Sequence, residues 1–176
     1  MLAHPHRMAQ FSAWASARVY DACAQLPPGD LSTDRGAFFR SILGTLNHLL
    51  LVDMLYRERL QKAPSSQFTG LDEILHDQLT PLRSAQDQLH AYYLDYTHDL
   101  EGERLDAPVG FETLLEEAEY WEVSHQIYFS NLFQHQIHHR GQIHNMLSQA
   151  GLNPPSIGFI EFEVELGERI VRRKAN

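Results

Sequence analysis

A single cysteine, Cys23, stands among the 176 residues, so no disulfide can close within the chain, and a lone thiol suits a reducing compartment. Positive charge is also scarce. Against 23 Asp and Glu there are 14 Lys and Arg, a formal charge of −9, which repels a phosphate backbone; the only basic run, Arg172-Arg173-Lys174, sits at the C-terminal end. Nucleic acid is therefore not expected as a partner. Long hydrophobic runs are missing too: the longest, HLLLVDMLY, is interrupted by Asp53 and is far too short to span a bilayer. The opening MLAHPHRMAQ lacks the apolar stretch of a signal peptide. These absences lead to the expectation of a cytoplasmic protein without membrane association.

What is present describes a globular chain, with 43% hydrophobic and 21% charged residues and no repeat or low-complexity tract. Its length suffices to remove about 70% of the unfolded surface from water. Residues 1–176 are read as one domain.

Met8, Phe11, Ala15, Val19, Ala22 and Leu26 recur at three and four residues, the period of one helical face, until PPGD breaks the pattern. A second helix is predicted after the candidate caps Ser32, Thr33 and Asp34, running through FFRSILGTLNHLLLVDMLYRERLQ to APSS. Leu71, Ile74, Leu75, Leu79 and Leu82 predict a third, reaching about Asp99, with a kink or an N-terminal break at Pro81. The stretch from 101 to 124 reads as a Gly/Pro loop followed by an acidic segment, either helical or an irregular β-like connection. From Ser124 to Ala150 the pattern is helical again, closed by Gly151 and NPP. A short helix from Ser156 to Arg169 completes an all-α reading: a four-helix bundle with a long connection and a short C-terminal helix, the kind of interior in which facing helices build metal sites.

The fourth long helix carries His135, His138, His139 and His144. Eleven histidines in the chain produce roughly 0.7 pairs at i, i+4 by accident, so the one such pair, His135 and His139, says little by spacing alone. At 100° per residue these two lie about 40° apart and can share one ligand, with Asn131, His138, Gln142 and Met146 on the same side and His144 opposite. His48 lies among Leu46, Leu49, Leu50 and Leu51, where an imidazole needs a partner to offset its desolvation. Either it is a core histidine bonded to a carbonyl or to Asp53, or it is a third imidazole facing the pair. A zincin needs Glu where HQIHH has Gln136. The Glu-x-x-His pairs Glu73/His76 and Glu122/His125 raise a di-iron carboxylate reading, but the first pair falls on the polar face predicted for the third helix.

SILGTLNHLLLVDMLY at 41–56, LFQHQIHHRGQIH at 132–144 and GLNPP at 151–155 together resemble the DinB-type family, damage-inducible bacterial proteins unrelated to the polymerase of that name. HHRGQ is the specific element. The resemblance covers most of the chain and implies a four-helix bundle with a non-sequential helix order and a metal site of three histidines, which match His48, His135 and His139. Asn131 stands where the family often has His, and Gln134 where it often has Asn. Arg140 and Gly141 face away from the expected metal, Gly141 to admit another helix and Arg140 to bind a carboxylate or a neighbouring subunit.

Three neutral imidazoles leave a divalent ion one or more open positions, as in catalytic sites, and Zn²⁺ and Ni²⁺ both accept such ligands. Asp53, Asn131, His138 and Gln142 are the candidates to orient the ligands. The resemblance implies a transferase that activates a low-molecular-weight thiol such as bacillithiol, mycothiol or glutathione for attack on a small electrophile. The alternatives are a metal-dependent hydrolase using hydroxide and a non-catalytic metal-binding stress-response protein. A homodimer is expected from the resemblance and from Phe11 and Trp14.

Overall fold

The computed structural model describes residues 4–27, 29–63, 68, 70–114 and 117–167. Helix α1 (Pro5–Cys23) starts with its proline in the first position, where no backbone N–H is needed, and the His4 side chain accepts from the N–H of His6. Met8, Phe11, Ala15, Val19 and Ala22 are buried as their spacing predicts; Leu26 falls beyond the helix end.

Helix α2 (Ile42–Gln61) has its N-cap at Ser41, seven to nine residues later than the candidate caps at 32–34. The side chain of Asp34 accepts from the N–H of Gly36, and Gly36 and Arg40 take left-handed backbone angles of 73° and 63°. Those polar residues therefore build a turn rather than a cap. Ser41 is the N-cap, accepting from the N–H of Gly44 at 3.1 Å.

Helix α3 (Leu79–His98) holds Pro81 in its first turn, so the proline marks an N-terminal break rather than a kink. Residues 71–78 are a loop and not the predicted helical turns. Asn47 on α2 holds it, donating to the carbonyl of His76 and accepting from its N–H, each at 2.9 Å. Glu73 and His76 thus lie on a loop rather than on a helix face.

The long connection contains a single helical turn, α4 (Glu103–Asp106), and two antiparallel strands, β1 (Pro108–Glu112) and β2 (Tyr120–Ser124), registered with Val109 opposite Val123 and Phe111 opposite Trp121. The bundle is mostly helical, as expected, and of the two readings open for 101–124 the β-like one is adopted in part: β-branched and aromatic residues at the paired positions outweigh the acidic ones between them. Ser124 then caps α5 (His125–Gln149), accepting from the N–H of Ile127, and Gly151 at φ 81° closes its C-terminal end.

Helices α1 and α2 each pack against both α3 and α5, so the order around the bundle is α1, α3, α2, α5 and consecutive helices α1 and α2 stand diagonally. The mostly helical bundle thus carries a non-sequential order with a small β-hairpin on its long connection. Helix α6 (Phe159–Glu165) covers α1. Phe11 and Trp14, expected at a subunit interface, pack on its Phe162 with ring centroids 5.7 and 5.6 Å apart. Arg7 donates to both oxygens of Glu163 at 2.8 Å. The far end of the predicted last helix, residues 168 and 169, and the basic run at 172–174 lie outside the described residues. No helix among the described residues is long and apolar enough to cross a membrane.

Candidate metal centre

His48, on the second turn of α2, and His135 and His139, on one side of α5, meet between the two helices. One nitrogen from each lies within 4.8 Å of the other two. His48 Nε2 and His135 Nε2 face each other at 3.0 Å, and the His139 ring centroid is 4.6 and 4.4 Å from those of His48 and His135.

Partners behind the rings decide which nitrogen is free. His48 Nδ1–H donates to the Leu71 carbonyl at 2.8 Å, so its Nε2 lone pair points into the cluster. His139 Nδ1–H donates to Gln142 Oε1 at 2.8 Å, freeing its Nε2 in the same way. The amide end of Gln142 donates to His138 Nε2 at 3.1 Å, which orients the glutamine. His135 Nδ1 is buried and has no hydrogen-bond partner among the described residues.

Burial chiefly, then the neighbouring imidazoles His139 and His48, pushes the pKa of His135 down to about 3. Burial pushes that of His139 down to about 4 against the support of Gln142, and lowers that of His48 against the support of the Leu71 carbonyl. All three rings are therefore neutral near pH 7, and those of His48 and His139, whose Nδ1–H groups are engaged, present Nε2 lone pairs that no proton has to vacate. Two nitrogens bound at 2.0–2.1 Å to one tetrahedral ion stand about 3.3 Å apart, close to the separation of the His48 and His135 nitrogens. The donor set fits a divalent cation that accepts imidazole.

Phe39 stacks on His48 with centroids 3.9 Å apart and planes 19° from parallel, and meets His139 edge-on at 5.6 Å. Gly44 makes this possible, because a Cβ there would collide with the Phe39 carbonyl oxygen. Beyond Phe39 opens a cleft of about 350 Å³ lined by Ser32, Asp34, Phe38, Arg40, Asp72 and Ile74 among others. Phe39 and the Leu71 carbonyl escaped sequence reasoning, since both belong to segments whose apolar spacing imitates a helix.

Of the four residues expected to orient the ligands, the structure brings Gln142 to the cluster and His138 to Gln142. Asp53 is fully buried elsewhere, accepting from Gln86 Nε2 at 2.6 Å and Gln136 Nε2 at 2.8 Å. Asn131 donates to the Tyr56 hydroxyl. Neither bonds an imidazole of the cluster. His144 faces away, toward the Pro155 carbonyl at 3.2 Å. Arg140 is buried against α1, donating to Ser12 Oγ at 2.8 Å, while Gly141 has open space around it rather than a closely approaching helix. Glu122 is exposed on β2, and His125 is engaged by the Ala107 carbonyl at 2.8 Å and the Tyr96 hydroxyl at 2.9 Å, so no carboxylate and histidine converge there.

A helical bundle that brings three neutral imidazoles together between two helices defines a class, the histidine-lined bundle with a cation-compatible centre. The chain belongs to the DinB family, whose family model matches residues 1–168. No curated protein matches the chain.

Proposed function

We propose that this protein is a metal-dependent transferase that holds a divalent cation, Zn²⁺ or Ni²⁺, on the Nε2 atoms of His48, His135 and His139 and joins a small thiol to an electrophile. The observation that carries the reading is the convergence of three neutral imidazoles, two of them with Nδ1 already committed to the Leu71 carbonyl and to Gln142. A cation on three neutral ligands keeps its full positive charge and lowers the pKa of a bound thiol. A thiol held there would give its proton to solvent, its sulfur would bond to the electrophilic carbon, and the leaving group would depart with the pair of the broken bond and take up a proton from solvent.

Residues of the chain supply orientation and selection. Phe39 shields the His48 ring from water, and the cleft beyond it offers charges of both signs, Arg40 against Asp34 and Asp72, together with the exposed Phe38 ring. Small thiols built on cysteine carry carboxylates and ammonium groups that match those signs. Of the two alternatives, the hydrolase would use hydroxide on the same cation, with Asp34 and Asp72 as the carboxylates that line the cleft beyond Phe39.

Elemental analysis of wild type against His48→Ala and His139→Ala tests the metal, and full metal content in both variants sinks the triad. Incubation of metal-loaded protein with glutathione, bacillithiol or mycothiol and a panel of electrophiles, alongside His135→Ala, tests the chemistry. Equal rates for both proteins, with ester or amide hydrolysis lost only in the variant, move the assignment to the hydrolase. We place the protein in the cytoplasm and propose a homodimer formed through exposed Ile127 and Ile137 on α5; a monomer by sedimentation at micromolar concentration excludes the dimer.

A further inference from the structure

At the centre of the bundle, away from the imidazoles, five side-chain atoms are buried with no hydrogen-bond partner among the described residues: Tyr20 OH, Asp53 Oδ1, Gln86 Oε1, His90 Nε2 and Arg140 Nη2. Each of these residues is at least nine-tenths buried, and all five line one internal cavity of about 10 Å³. They come from all four long helices: Tyr20 from α1, Asp53 from α2, Gln86 and His90 from α3, and Arg140 from α5. Buried polar atoms in folded proteins are almost always paired, with protein or with ordered water, and a cavity of this size admits one water-sized sphere and no more.

The chemistry of the lining matches a single molecule. Asp53 Oδ1 and Gln86 Oε1 can only accept, Arg140 Nη2 can only donate, and the Tyr20 hydroxyl has a hydrogen to give. Water has two hydrogens and two lone pairs. We infer that the polar core of the bundle is a binding site for one ordered water, which donates to Asp53 and Gln86 and accepts from Tyr20 and Arg140, tying α1, α2, α3 and α5 together at one point.

His90, kept neutral by burial, is the fifth neighbour and takes whichever role its tautomer leaves. The same polar core continues through direct bonds, since Gln136 donates to the other oxygen of Asp53 at 2.8 Å and Arg140 Nη1 donates to Ser12 at 2.8 Å. Gln136 and Arg140 each follow a cluster histidine by one residue, about 100° around the helix, so the site fixes the rotation of α5 from a face adjoining that of the imidazoles. It depends on no bound metal.

Two measurements on the chelator-treated full chain decide the matter. A crystal structure at a resolution that orders internal solvent is expected to show one fully occupied water within about 2.6–3.2 Å of at least three of the four atoms. A dry cavity, or a Tyr20 hydroxyl bonded directly to Asp53, overturns the inference. Tyr20→Phe removes one donor at almost constant volume. If the water is bound, hydrogen exchange of the α5 amides at 136–140 becomes roughly tenfold faster, the change expected from one lost hydrogen bond. In a dry core the same substitution removes an unsatisfied hydroxyl, and exchange stays equal or slows; that result also overturns the site. Wild-type density stands as a test even if the variant fails to fold.

Discussion

Asn47 and His76 hold each other through two hydrogen bonds, the asparagine amide donating to the His76 carbonyl and its oxygen accepting from the His76 N–H, both at 2.9 Å. That clasp pins the loop of residues 71–78 onto α2, and the same loop brings the Leu71 carbonyl to His48 Nδ1. Asn47 touches no imidazole yet governs which His48 nitrogen is free. We expect Asn47→Ala to weaken metal binding about 10- to 100-fold, the usual cost of losing an orienting partner, with helical content unchanged by circular dichroism. Unaltered affinity in a competition titration would show that the loop does not set the tautomer.

Metal should raise the unfolding temperature. At a free Zn²⁺ or Ni²⁺ concentration a hundredfold above Kd, binding to the folded state alone contributes about 2.7 kcal/mol, roughly 5–10 °C for a chain of this size. Chelation should reverse the shift, and His139→Ala should abolish it. A thermal scan with the same shift in that variant points to metal bound elsewhere.

Acid should destabilise the metal-free protein in a defined window. Burial holds His90 with its pKa down to about 3, so the folded state binds fewer protons than the unfolded chain. Its contribution is complete above the unfolded value of about 6.5 and is lost as pH falls toward 3, on the order of a few kcal/mol in all. Asp53 works the other way, because burial raises its pKa to about 6 and its contribution, present below about 3.8, fades as pH rises through 6. Urea denaturation across pH 3–7 should therefore show a shallower acid loss in His90→Gln and a steeper one in Asp53→Asn. Parallel curves for wild type and His90→Gln would mean that His90 does not stay neutral in the folded state.

Removing the Phe39 ring exposes the stacked face of His48. Water then stabilises the protonated imidazole, so its pKa rises toward the ordinary value and protons compete with the metal nearer neutrality. Metal release on acidification should begin at higher pH in Phe39→Ala than in wild type, while Phe39→Tyr should behave like wild type. An identical midpoint for Phe39→Ala removes the shielding role.

Periodicity made the main helices legible, with the start of the last long one at Ser124, and Gly151 closes that helix as the sequence indicates. It misled at residues 71–78, where Leu71, Ile74 and Leu75 extend the spacing of Leu79 and Leu82 although Asn47 holds their backbone in a loop. The hairpin was hidden by the acidic residues between its paired Val, Phe and Trp positions. The meeting of His135 with His139 follows from helix geometry, whereas the approach of His48 needed either the family resemblance or the fold. Asp53 follows His48 by five residues, about 140° around α2, and so turns toward the bundle interior. Asn131 shares the face of His135 but stands one turn earlier, within reach of Tyr56 instead.

Arg7 and Glu163 are separated by 156 residues in the chain, yet their side chains close the seam between α1 and α6. As the polypeptide leaves the ribosome, Phe11 and Trp14 emerge well before Phe159 and Phe162, which cover them. The aromatic face of α1 therefore waits for α6 while all the intervening helices are made, a long-range closure of the kind that slows folding. Loss of the segment beyond Gly158 would leave those rings bare in the finished protein, so the last helix acts as a shield against self-association as well as a part of the core.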